Sequence, residues 1–308
     1  MKIKTLYNIQ TDQFCQLEFD LFIMSYRNTE RALFLYQKQL QNKTQLMLFT
    51  SLEELEENQS MHSPKSGTDV LAIKNDEIDS LINYLLDFIN KSEKDDIRIS
   101  IDYTAMSQLW YSSILVFFSN LNIGKKVYLY FSYAQSRFYK PSNNNNCNYK
   151  FQPLKGYSNI SIPNKPTALI LGVGFENRRA FSLKEYLDAE EVYVFITDKL
   201  SAPQFNKEVY IQNRDIISQM NDDHILEYPV LDILYTRKIL YDLCKNLSND
   251  FRVLIAPCGP KTFSLVSAIV AMQIPNIDVW SIIGGSHNEE GKEANGEVSH
   301  ILIEYEIQ

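Results

Sequence analysis

The apolar positions of this chain fall into short runs separated by polar loops, and the runs alternate between two periods. Phe19–Met24, Gln45–Thr50, Asp69–Ile73, Ile97–Ile101 and Lys126–Phe131 are rich in β-formers and too short for helices. Between them, Arg31–Gln41, Asp76–Asn90 and Ser107–Leu121 carry apolar residues at helical spacing, as Ile78, Leu81, Leu85 and Phe88 show. The second half repeats the order. Strands are predicted at Ala168–Leu171, Glu191–Ile196, Val209–Gln212, Arg252–Ala256, Ile277–Ile283 and Val298–Tyr305. Helices are predicted at Arg179–Leu187, Val230–Leu247 and Phe263–Met272. Strands alternating with helices make βαβ units, whose crossovers set the strands parallel. The expected fold is therefore α/β, with two Rossmann-like lobes of mainly parallel sheet.

Repetition of the order suggests duplication, and single residues carry it further. Arg98–Ile101 aligns with Arg252–Ile255, and at the same spacing Asp102–Ser107 aligns with Ala256–Lys261. Tyr26-Arg27-Asn28 aligns with Phe175-Glu176-Asn177, and Arg31-Ala32 with Arg179-Ala180 after a one-residue slip. Polar stretches bound the repeats. Ser51–Gly67 reads as a solvated loop, and the asparagine run that follows Pro141 has no apolar side chain to bury. The expected division is a lobe over 1–140, a polar linker over 141–164 and a second lobe over 165–308.

Composition narrows the class without changing the fold. The chain has 308 residues, 45% hydrophobic and 22% charged, enough for two cores and ordinary for a soluble protein. A net charge of -8 argues against a general nucleic-acid-binding surface. No apolar run approaches the length of a membrane span, and the start of the chain lacks an apolar signal core. Four widely spaced cysteines with no CxxC pair fit a reduced, cytoplasmic protein. The four histidines make no HxH or HxxxH pattern, so no metal site is expected.

Candidate chemistry sits in four loops at the predicted carboxyl ends of strands, where open α/β sheets bind ligands. In two facing lobes these ends line one crevice. The loop Pro257-Cys258-Gly259-Pro260-Lys261-Thr262 opens a helix whose free N–H groups favour an anion; Pro260 suits a helix start, Gly259 permits close approach and Lys261 adds a cation. Arg31 and Arg179 supply further charge. Asp102 and Thr104 suit a hydroxyl or base edge, and equally suit capping of the next helix. Asn177 completes the ligand-binding candidates. Asp102 and Glu176 are the candidates for a general base, should the scaffold turn over its ligand. Gly172-Val173-Gly174, with Asp198 beyond the next strand, has the layout of a dinucleotide fingerprint, but Asn177 stands in place of its third glycine. The leading expectation is binding of a phosphorylated or nucleotide-like ligand with a sensing role. Alternatives are a nucleotide-processing hydrolase or transferase, an NAD- or SAM-binding protein, and a scaffold with no small-molecule site.

Gly259-Pro260-Lys261 and Asp102-Tyr103-Thr104, each between a strand and an apolar helix, resemble the ligand loops of CRISPR-associated Rossmann fold (CARF) sensor domains. The resemblance covers about 60 residues in two pieces. It implies a cyclic or linear oligonucleotide messenger bound across a two-fold axis, hence a homodimer. Sensors of that family carry an appended effector domain, and no such domain is read here. The two-lobed order with a Pro-x-Gly-x-Lys loop is also similar to a group of bacterial proteins, from which no activity carries over.

Overall fold

A computed structural model describes residues 2–38, 45–49, 68–73, 78–141, 150–159, 165–175, 179–283 and 293–306. The chain divides into two compact units: residues 1–137 with 291–308, and residues 138–290.

Unit 1 holds a seven-stranded sheet. Its strands are β1 (Lys2–Asn8), β2 (Leu21–Ser25), β3 (Gln45–Phe49), β4 (Thr68–Ala72), β5 (Asp96–Asp102), β6 (Lys126–Ser136) and β13 (Ala294–Glu306), and its order is β1-β13-β6-β5-β2-β3-β4. The five strands from β6 to β4 run parallel, and β13 and β1 add antiparallel neighbours beyond β6. Unit 2 holds β7 (Lys150–Pro153), β8 (Thr167–Gly172), β9 (Glu191–Thr197), β10 (Ile225–Tyr228), β11 (Arg252–Pro257) and β12 (Ile277–Ile283) in the order β10-β9-β8-β11-β12-β7. Again five strands are parallel, with one antiparallel strand, β7, beyond the last.

Both sheets thus share one plan. The first parallel strand, β2 or β8, lies at the centre; the second and third extend to one side, the fourth and fifth to the other. Register agrees as well: Ile23 lies opposite Ile101, and Ile170 opposite Ile255. The duplication expected from residue spacing is present in the strand order.

Helices cover both faces because each parallel strand must cross over to the next. In unit 1 these are α1 (Thr11–Cys15), α2 (Glu30–Lys38), α3 (Asp79–Lys91) and α4 (Gln108–Asn120). In unit 2 they are α5 (Arg179–Leu187), α6 (Pro203–Gln212), α7 (Arg214–Ile217), α8 (Ile233–Leu247) and α9 (Lys261–Gln273). One face of the second sheet packs Leu169, Leu171, Val194 and Leu254 against Ala180, Leu183, Val209 and Ile216 of α5 to α7. On the other face α8 lies against α9, and Phe263 of α9 packs against Phe195 and Tyr228. Among the described residues, no helix is long and apolar enough to cross a membrane.

Three expectations change. Val209–Gln212 is the last turn of α6, not a strand; Pro203 at the first turn and Ala202 before it start a helix that this short apolar run only completes. Lys150–Pro153, expected within a linker, is the edge strand of the second sheet. The closing strand, expected in a lobe running to residue 308, pairs with β6 and β1 in the first sheet. β6 is buried at nearly every position of its 11 residues, so an open edge there would expose a long apolar strand, and β13 closes it. The expected loop 51–67 and the run after Pro141 lie outside the described residues.

The pairing of β13 also creates a lateral row of polar groups. Asp102, Ser132 and His300 stand opposite one another on β5, β6 and β13. Ser132 Oγ lies 2.7 Å from His300 Nδ1, and the imidazole stacks on Phe14 of α1 at 3.8 Å. All three are buried, so no substrate reaches Ser132. Burial, with a smaller contribution from Lys38, pushes the His300 imidazole down to about 4 from 6.5. The unfolded imidazole takes up its proton through 6.5 and the folded one only near 4, so the unfolded state binds more protons in that window. Stability should therefore fall by about 3 kcal/mol between these pH values. Urea titrations across this range, compared with a Ser132→Ala/His300→Phe double variant, should show the variant losing less stability by about that amount. Parallel pH profiles would remove His300 as the cause.

Candidate functional site

In each sheet the strand order turns at the centre, between the first and fourth parallel strands, and the loops leaving those strands diverge to opposite faces. The candidate residues gather at these two points, and the two points differ.

In unit 2 the loops after β8 and β11 touch through their backbones. A Cβ on Gly259 would stand 2.4 Å from the Val173 carbonyl oxygen, and one on Gly174 would stand 2.9 Å from Gly259 Cα. Both glycines are required by this loop-to-loop approach. Gly172 is required by α9, since a Cβ there would enter the Phe263 ring at 2.2 Å. Asn213, buried between α6 and α7, donates Nδ2 to the Gly174 carbonyl at 2.7 Å, and the Cys258 amide donates to the Gly172 carbonyl at 2.7 Å. The turn is thus held rigid from both sides. Cys258 is buried in the α5 to α7 core, so it is packing material rather than a presented nucleophile.

Out of this turn rises α9, thirteen residues long and buried from Thr262 to Val270. Pro260 is its N-cap and provides no side-chain cap. Lys261 is the first helical residue and half-buried. Thr262 follows, 1% exposed, and its Oγ1 has no hydrogen-bond partner among the described residues. A helix N-terminus, a lysine and a buried hydroxyl therefore meet at one point. Arg179 is the first residue of α5, which leaves the neighbouring strand β8. Glu176 and Asn177 lie outside the described residues.

In unit 1 the corresponding turn is occupied by the protein itself. Asp102, 1% exposed, ends β5 and accepts the Thr104 amide through Oδ1 at 2.9 Å. Thr104 Oγ1 in turn accepts the Ala134 amide at 3.0 Å. Ser107 caps α4 by accepting the Trp110 amide. Arg31 donates Nε to the Ala134 carbonyl at 2.9 Å and Nη2 to the Tyr133 hydroxyl at 2.8 Å, with its guanidinium over the Tyr133 ring. Arg31, Asp102 and Thr104 are thus brought together around the end of β6, where they pin the chain. A buried carboxylate, an acidic Glu30 at the start of α2 and a capped α4 make this point unsuited to an anion.

Sequence spacing located both turns but not this asymmetry. Ser107 caps α4 with its side chain, whereas Pro260 gives α9 no side-chain cap, a local difference that strand spacing does not register. Asn213 and the Asp102–Ser132–His300 row have no local signal, because their members meet only after the strands pair. Cys15, Cys244 and Cys258 form no disulfide, and the described residues contain no group of three or more metal-ligating side chains. No protein-family model matches this chain, and no curated protein sequence matches it.

Proposed function

We propose that unit 2 binds a phosphorylated, nucleotide-like ligand at the carboxyl ends of β8 and β11, and that binding serves sensing or regulation. The observation that carries the reading is the buried Thr262 hydroxyl, without a hydrogen-bond partner among the described residues, in the first turn of α9 beside Lys261, where the N-cap Pro260 gives no side-chain cap. The phosphate would accept from the amides of Lys261 and Thr262 and from the Lys261 ammonium, with Gly259 keeping the approach open. Arg179 adds charge from the next loop. Unit 1 does not repeat this arrangement, so the reading places one anion subsite on each chain. Within the class of phosphorylated ligands, an oligonucleotide messenger is what the loop resemblance implies.

The test is titration with inorganic pyrophosphate and a panel of nucleotides, read by calorimetry and by thermal shift. Lys261→Ala should lose about 1.5–3 kcal/mol of binding while its unliganded melting temperature stays within a few degrees of wild type. A ligand that stabilises both proteins equally would remove Lys261 from the site. Recovery of the ligand unchanged after incubation is expected of a sensor; conversion to product would replace that role by catalysis.

A further inference from the structure

We infer that the loop after β9 is a nucleoside subsite, in which Asp198 receives the ribose hydroxyls and the stacked rings of Phe175 and Phe205 form a shelf for the base. The inference rests on the anion site at α9 and extends it across the sheet within unit 2. Asp198 follows the last residue of β9, the strand next to β8 on the side away from β11. Its Oδ1 accepts from the amide and the hydroxyl of Ser201, which closes the turn into α6. Its Oδ2 has no hydrogen-bond partner among the described residues, and the residue is half-buried. A carboxylate in that position repels phosphate, so the part of a ligand lying over β9 must offer donors instead. The ribose diol is such a group, and a carboxylate accepts two hydroxyls at once.

Position supports the same division. The ends of β9 and β11 are two strand spacings apart, about 10 Å, which suits one ribose phosphate with a hydrogen bond at each end. The rings complete the site. Phe175 leaves the β8 loop and Phe205 begins α6, and their rings are parallel within 6° at 5.3 Å between centroids. Both are half-buried, and Phe138 and Tyr139 brace them edge-on. Aromatic faces held in this way stack bases with little sequence preference, at about 1–3 kcal/mol for each base.

Calorimetry with inorganic phosphate, ribose 5-phosphate, AMP and GMP separates the parts. In wild type, affinity should rise from phosphate to ribose 5-phosphate to at least one nucleotide, by about tenfold or more at each step. Asp198→Asn keeps the Oδ1 acceptor for Ser201 and so keeps the loop; it should weaken ribose 5-phosphate and nucleotide about tenfold and leave phosphate unchanged. Phe205→Ala should weaken the nucleotide alone. Phosphate and nucleotides binding with equal affinity, or Asp198→Asn leaving the nucleotide unaffected, would overturn the subsite and leave the anion site standing. Absence of binding by phosphate and nucleotides alike would overturn both.

Discussion

Phe263→Ala should cost unit 2 about 3–5 kcal/mol, the usual loss for a fully buried phenylalanine. The ring is 0% exposed and lies 5.1 Å from Phe195 and 5.4 Å from Tyr228, so it ties the first turn of α9 to β9 and β10. It also occupies the space that Gly172 leaves open. The two positions should therefore couple. Gly172→Ala alone drives a methyl into the ring and should be strongly destabilising, but in the Phe263→Ala background the same methyl enters the vacated volume and should restore part of the loss. Urea unfolding of the four proteins of this cycle gives the coupling directly. Simple additivity would mean that the ring does not set the glycine. The Phe263→Ala protein should also bind phosphorylated ligands more weakly, because the amides of Lys261 and Thr262 lose the anchor that holds their turn.

A second large loss is expected at the opposite end of the same sheet. Arg252→Ala should destabilise unit 2 by about 3 kcal/mol, at the lower end of the range for breaking a buried ion pair. Arg252 donates Nε and Nη2 to Asp278 Oδ2 at 3.1 and 2.6 Å, and Asn159 donates its amide to Oδ1 at 2.8 Å. The Asp278 side chain is 2% exposed, so without the guanidinium a buried carboxylate keeps only Asn159. The arginine side chain is 37% exposed, and the water that reaches it tempers the loss. The chain has two tryptophans, Trp110 in unit 1 and Trp280 in unit 2, so a Trp110→Phe background reports on unit 2 alone. In that background the urea midpoint should drop with the slope unchanged. Replacing both partners by apolar residues should recover most of the stability; failure to recover would mean that the pair is needed for folding specificity.

Much of this molecule was legible in the order of its residues. Short β-rich runs alternating with helical ones require a parallel sheet, because a parallel pair needs a crossover and the crossover helix must bury an apolar face. Ile97–Ile101 and Arg252–Ala256 were recognisable as equivalent strands, and the loops after them as equivalent turns. Pro260 was also recognisable as suited to a helix start, and it stands as the N-cap of α9. Tertiary structure alone decided the rest. Val209–Gln212 has the composition of a strand, but the helix beginning at Pro203 absorbs it. Val298–Tyr305 alternates as a strand should, yet nothing within it states which sheet it joins; the exposed edge of β6 decides that, and with it the meeting of His300 with Ser132. Gly172 looked like part of a phosphate loop, whereas the Phe263 ring is what excludes any larger residue there. Spacing along a chain reports local backbone preference and burial. It does not report which distant backbone or ring will arrive within van der Waals distance, as the Val173 carbonyl does at Gly259 and the Phe263 ring does at Gly172.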